Sequence, residues 1–381
     1  MLVRGNEARR PRPRRQNGMS DPRTAIGGPG VSDRLCGRDN ALNAIRLLLA
    51  VFVVVDHSFK AATGQPGPWP YLGGFAVDGF FAISGYLIAG SRLRMGTRLF
   101  LWRRGLRLMP GYWGLLIFTA LVVAPASMLL DSRSYDWGSG ATYVLRNALL
   151  FTTQMGINGT PAGVPYEGLW NASTCSLPYE AAAYVVFGLM VALPGFRARF
   201  AALVCAGLAA CVLVQLSCGV GSSTALELTR LWSFFAAGTL LWFLRDRLPG
   251  ARASALLAGG LVLGTLLLGR AWYLAIAPVP LAFLLLWLGA KLPVRIGSRN
   301  DISYGVYLFA FPLQQLMVVA GVSQLIGLPW FAVLSIVVTV PVAWCSWLLV
   351  ERPAMRLRRP TEVRGERALP VEVETVVLAR G

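Results

Sequence analysis

Long apolar runs, separated by short stretches carrying charge, glycine or proline, repeat along most of the chain. Each is close to the length of a bilayer-crossing helix, and none shows the strict alternation of a half-buried strand. Reading them in order predicts about ten spans, near residues 41–59, 74–90, 108–130, 176–194, 199–217, 228–244, 253–269, 271–289, 302–321 and 329–350. The division of the close pair around Gly269 is left open. The expected fold is an all-α polytopic membrane protein.

Composition agrees. Hydrophobic residues make up 55% of the 381 and charged ones 14%, with a mean hydropathy of +0.56. A chain this apolar belongs mostly in lipid. Its net charge of +18 would suit nucleic acid, but the placement of the charge argues otherwise. With ten spans and the N-terminus inside, thirty of the 36 Lys and Arg residues fall in the arms and loops of one side. Lys60, Arg133, Arg146, Arg230 and Arg270 fall on the other, and Arg46 lies within a span. That asymmetry is the positive-inside pattern, so both termini are expected in the cytoplasm. The basic inner loops suit membrane lipids or an anionic cytoplasmic cofactor, and no nucleic acid is expected. The Arg-heavy, Lys-poor composition points to a bacterial inner (plasma) membrane.

Outside the spans the pattern weakens. Residues 1–38 form an Arg/Pro/Gly-rich arm of disordered composition. Residues 39–355 form the membrane domain, and residues 356–381 are expected to be a short cytoplasmic tail. The sequence contains no phosphate-binding GxxxxGK[ST] loop and no HExxH, and no metal site is expected. Six cysteines include no CxxC pair. Cys175 and Cys218 both fall near the outer surface, where they read either as a disulfide or as unrelated small apolar residues.

Candidate chemistry lies where polar residues interrupt the runs. The first run, ALNAIRLLLAVFVVVDHSFK, holds Arg46, Asp56 and the chain's one histidine, His57. Eleven residues are about three helical turns, so Arg46 and His57 share a face roughly 16 Å apart. Imidazole suits proton transfer near neutrality. The same pattern also fits a histidine at the headgroups and an arginine snorkelling to the opposite surface. In the second run, Asp78 precedes Ser84-Gly85-Tyr86. An unpaired carboxylate in that setting is costly, and Arg46 is its expected partner. The small Ser84-Gly85 pair fits either close helix packing or a ligand contact. The stretch RLRMGTRLFLWRRGLRLMPGYW then gathers Arg103, Arg104 and Arg107. These serve topology and lipid anchoring, or offer guanidinium forks to a phosphate-rich donor. Glu180, in NASTCSLPYE, is expected at the same outer depth as His57.

Taken in order, Arg46-x10-His57, VDGFFAISGYLI, FLWRRGLRLMPGYW, NASTCSLPYE, ISYGVYLFAFPLQQL from Ile302 and Val350-Glu351-Arg352-Pro353 resemble the acyltransferase 3 family of bacterial integral-membrane O-acyltransferases. The likeness covers about residues 40–355. It implies transfer of an acyl group, expected to be acetyl, from cytoplasmic acyl-CoA to a hydroxyl of a cell-surface glycan, a lipid-linked sugar or a related acceptor outside the cytoplasm. It further implies catalytic roles for His57, Arg46, Glu180 and Asp78. Donor-binding roles fall on Arg103, Arg104, Arg107, Ser84, Gly85 and Tyr86, and acceptor-binding roles on Ser176, Trp170 and Tyr304. His57 would act as general base or transient acyl carrier, with Glu180 or Asp56 fixing its tautomer. Two positions depart from the family pattern: Cys175 stands where tryptophan is usual, and Ala310 where many relatives carry histidine. A proton-coupled secondary transporter, or a polysaccharide-export protein without catalysis, is the alternative that the same buried charges allow. No inverted repeat supports it.

Overall fold

The computed structural model describes residues 30–357, apart from 36, 38, 219–223, 298 and 299. Residues 1–29 of the basic arm, almost all of the C-terminal tail and the Cys218 side chain lie outside the described residues, while Val31–Leu35 of the arm form a short helix rather than a disordered stretch.

Among the described residues the regular structure is helical, with no strand longer than one isolated bridge. Helix α1 runs Leu42–Thr63, α2 Leu72–Arg92 and α3 Thr97–Leu130, the last with a π-helical turn at Thr119–Val123. After a structured loop come α4 Leu177–Met190, α5 Phe196–Cys218, α6 Thr224–Phe243 and α7 Arg252–Leu268. Helices α8 Arg270–Ile276, α9 Pro278–Lys291, α10 Ser303–Val319 and α11 Leu328–Arg356 complete the bundle.

Four of these, α1, α2, α3 and α11, are long and apolar enough to cross a membrane. A fifth span forms if α8 and α9, bent by 68° at their junction, count as one. Ten spans were expected, and several of the apolar runs fold into shorter helices, including α7 and α10. The break near 269 is now explained. Gly269 adopts φ +108°, a conformation open mainly to glycine, and ends α7 before α8 begins. The third expected span also starts earlier than its apolar run. The arginine-rich stretch is the first part of α3 itself, continuous through Pro110.

Helix α2 packs most extensively on α6, and α1 on α10. Glycines permit the first of these contacts. A Cβ on Gly85 would overlap the Phe235 carbonyl oxygen, and one on Gly238 would overlap that of Ala82. The backbones therefore meet with no side chain between them, as small residues allow in membrane helices. The α3–α4 loop caps one end of the bundle. Gln315 of α10 donates to the carbonyls of Tyr166 and Leu169 at 2.9 and 3.0 Å, and Trp170 is wholly enclosed.

Candidate active site

Two helices bring three arginines to one cavity. Arg46 from α1 and Arg104 and Arg107 from α3 line it, facing Ser84 of α2 and Glu180 and Tyr184 of α4. Ser176, Tyr304 and Tyr307 close it, with Phe80, Phe81 and Leu108 among its apolar walls. Arg104 and Arg107 are three residues apart, so one helix face carries both. Glu180 and Tyr184 are four apart on α4 and share a face for the same reason.

The contacts within this cavity are dense. Glu180 accepts from Ser84 at 3.4 Å and from the Tyr184 hydroxyl. Arg104 donates to Ser91 at 3.0 Å, lies over the Tyr184 ring at 5.9 Å, and keeps its buried Nε without a partner. Tyr304 donates to the Leu108 carbonyl at 2.8 Å, while the Arg107 guanidinium rests 5.7 Å above its ring. Ser176 and Tyr307 are joined at 2.7 Å, and the Tyr307 hydroxyl also donates to the Ser173 carbonyl.

Two carboxylates to which the sequence reading gives no role, Glu351 being named there only as part of a motif, join the cluster. Asp301, in the loop before α10, accepts from Arg46 at 2.8 Å and from Arg107 at 2.6 Å, both on Oδ2. Burial opposes its charge, yet the Arg46 and Arg107 guanidiniums and the Ser303 hydroxyl hold the Asp301 carboxyl down at about 2. Glu351 lies 3.6 Å from Arg107, at the end of a π-helical turn in α11 spanning Trp347–Glu351.

His57 is not among the residues lining the cavity. Its ring meets the edge of Phe311, one helical turn beyond Tyr307 on α10. Its Nδ1 lies 2.9 Å from the Val53 carbonyl oxygen. A carbonyl can only accept, so Nδ1 carries the proton and Nε2 keeps the lone pair in the neutral ring. The tautomer is thus fixed by backbone, correcting the expectation of a carboxylate. Asp56 is 3.9 Å away and is engaged by Lys60 at 2.7 Å, and Glu180 bonds to Ser84 and Tyr184 instead.

The expected Arg46–Asp78 pair is also corrected. Asp78 accepts from Arg230 at 3.0 Å and from the Tyr273 hydroxyl at 3.1 Å. Arg230 further reaches Glu227 at 2.7 Å and the Gly74 carbonyl at 3.0 Å. Spacing gave no sign of this, because Arg230 reads in sequence as an ordinary cation at a helix start. Among the other named residues, Gly85 faces the α6 backbone and Tyr86 is buried beside it on α2. Trp170 donates to Thr160 at 3.3 Å inside the α3–α4 loop, and Arg103 is not among the residues lining the cavity. No group of three or more potential metal ligands occurs among the described residues.

A helical membrane bundle whose arginines, carboxylate and hydroxyls converge on one internal cavity has the form of a membrane-embedded group-transfer enzyme. Residues 39–348 match the Acyl_transf_3 family (acyltransferase domain), and the chain belongs to that family. It is also similar to nodulation protein 10 of Rhizobium leguminosarum bv. viciae, 38% identical over 60 residues. That match spans 16% of either chain. No solved structure matches.

Proposed function

We propose that the protein is a membrane-bound O-acyltransferase that moves an acyl group, in the first instance acetyl, from cytoplasmic acyl-CoA to a hydroxyl of a cell-surface glycan or related extracytoplasmic acceptor. The observation that carries this reading is the convergence of Arg46, Arg104 and Arg107 with Glu180 and Ser84 on one cavity of an acyltransferase-family bundle. Guanidinium forks match the phosphates of a coenzyme A donor, and the flexible arm of that donor would extend along α1 and α10 toward His57. With Nδ1 committed to Val53, the His57 Nε2 is the atom able to take the acceptor's proton. Attack of the deprotonated hydroxyl on the thioester carbonyl forms the ester and expels the CoA thiolate, which takes up the proton held by His57. Formation of a transient acyl-histidine on the same nitrogen follows the same balance in two steps. On this reading both termini are cytoplasmic and the protein sits in the bacterial inner membrane.

The test is free-thiol release by purified protein in nanodiscs, given acetyl-CoA and cell-envelope acceptor, with label followed into glycan. Acceptor-dependent release is expected. Intact, folded protein that releases no thiol from any acyl-CoA, with any envelope acceptor, would overturn the assignment.

A further inference from the structure

The cavity described above has a neighbour. A second recess, lined by Asn43, Arg295, Asn300, Asp301 and Ser303, lies against the loop before α10. Arg46 lines the main cavity and Asp301 the recess, and the 2.8 Å bond between them forms part of the shared wall.

Asp301 is held from both sides. Its Oδ1 accepts from the Ser303 hydroxyl at 2.6 Å and the Ser303 amide at 3.3 Å, at the very start of α10. Its Oδ2 receives Arg46 and Arg107, which come from different helices. Two guanidiniums brought to one oxygen would repel without the carboxylate between them. Each gives a single nitrogen to Asp301. Among the described residues Arg46 makes no other hydrogen bond or ion pair, and Arg107 adds a longer contact with Glu351 and its place over the Tyr304 ring. Both arginines line the main cavity, and their remaining nitrogens are donors of the kind that suits a phosphate or pyrophosphate group.

We propose that Asp301 is a positioning residue that clamps Arg46 and Arg107 together as a two-arginine seat for the phosphate-bearing end of the acyl donor. This rests on the acyl-CoA reading given above. The Ser303 bonds prevent the carboxylate from following a ligand, so it acts as a fixed anchor. It orders the arginines before the donor arrives and leaves the transfer chemistry untouched.

The experiment measures binding of CoA, with inorganic pyrophosphate as competitor, to full-length protein in nanodiscs, together with donor KM and kcat. In Asp301→Asn the CoA Kd and donor KM rise about tenfold, the equivalent of one charged hydrogen bond, while kcat changes far less. Asp301→Glu restores part of the loss. Combining Asp301→Asn with Arg46→Gln adds little to Arg46→Gln alone, because the two residues act as one unit. Unchanged CoA affinity in folded Asp301→Asn, or a fall in kcat with KM unaltered, overturns the inference while leaving the enzyme reading intact. Should Asp301→Asn fail to fold, Ser303→Ala provides the same test. It must weaken CoA about two- to threefold through the loosened carboxylate, and an unchanged Kd overturns the clamp. Wild-type protein that binds neither CoA nor pyrophosphate overturns the donor reading itself, and the clamp with it.

Discussion

Among the described residues, two ionic clusters that join different helices differ in one respect: that of Asp301 faces a cavity and that of Asp78 does not. The Asp78 cluster is closed. Its carboxylate, with a side chain 1% exposed, meets Arg230 and Tyr273, and Arg230 spends all three nitrogens on Asp78, Glu227 and the Gly74 carbonyl. The Asp301 cluster is open. Its carboxylate is 15% exposed, and its two arginines each line the cavity with donor groups left over. Both clusters look alike in sequence, as lone charges in or beside apolar runs. The lesson is that a charge in a membrane helix marks a site only when its partners leave it something to offer. A fully satisfied network locks helices, here α2, α6 and α8; a partly satisfied one can bind.

His57 gives the largest way to sharpen this contrast, since it touches neither cluster. His57→Ala should lower turnover by roughly 10²- to 10⁴-fold, the usual worth of a general base, with CoA affinity preserved. Single-turnover kinetics beside a CoA-binding isotherm would show it. Loss of CoA binding would place His57 in the donor seat instead.

Next in size is the closed cluster. Arg230→Ala strands the buried Asp78 carboxylate, and breaking such a pair costs about 3–5 kcal/mol. Thermal unfolding in detergent should shift sharply downward. The paired change Asp78→Asn with Arg230→Gln should recover much of that loss, because no charge is left buried alone. An Arg230→Ala protein as stable as wild type would show that the network is not a lock.

Glycine packing comes third. Gly85→Ala drives a methyl group into the Phe235 carbonyl, and overpacking of this kind costs about 1–3 kcal/mol. Melting temperature should fall with KM for the donor unchanged, since Ser84 rather than Gly85 lines the cavity. A KM effect without destabilisation would move Gly85 into the site.

The smallest effect is expected at Tyr307, whose hydroxyl joins Ser176 and the Ser173 carbonyl between the cavity and Phe311. Tyr307→Phe removes bonds worth about 1 kcal/mol in stability, again read by melting. A loss comparable to that of Arg230→Ala would show that this junction, too, is a lock.

Much of the open cluster was legible in the chain. Arg46, Ser84, Arg104, Arg107 and Glu180 each interrupt an apolar run, and the cost of a polar group there is what draws attention. Their helical spacing also showed which of them share a face. Asp301 went unnoticed and Glu351, though named in a motif, received no role, for opposite reasons. Asp301 follows Arg295, Arg299 and Asn300 in a polar loop, where an acid is ordinary, and Glu351 ends a run just where polarity is expected. The pairing of Asp78 with Arg230 joins residues 152 positions apart, and periodicity carries no information about such contacts. Four or five of the ten expected spans are matched by helices long and apolar enough to cross a membrane, because several apolar runs fold as shorter or bent helices such as α7, α10 and the α8–α9 pair.

The central claim is that the open cluster binds the donor and the closed one does not. The most direct measurement is CoA affinity of folded Arg107→Gln protein beside the Asp78→Asn/Arg230→Gln double variant. A weakened Kd in the first and a wild-type Kd in the second is the result this account predicts. Equal affinity in Arg107→Gln and wild type, or loss confined to the double variant, would contradict it.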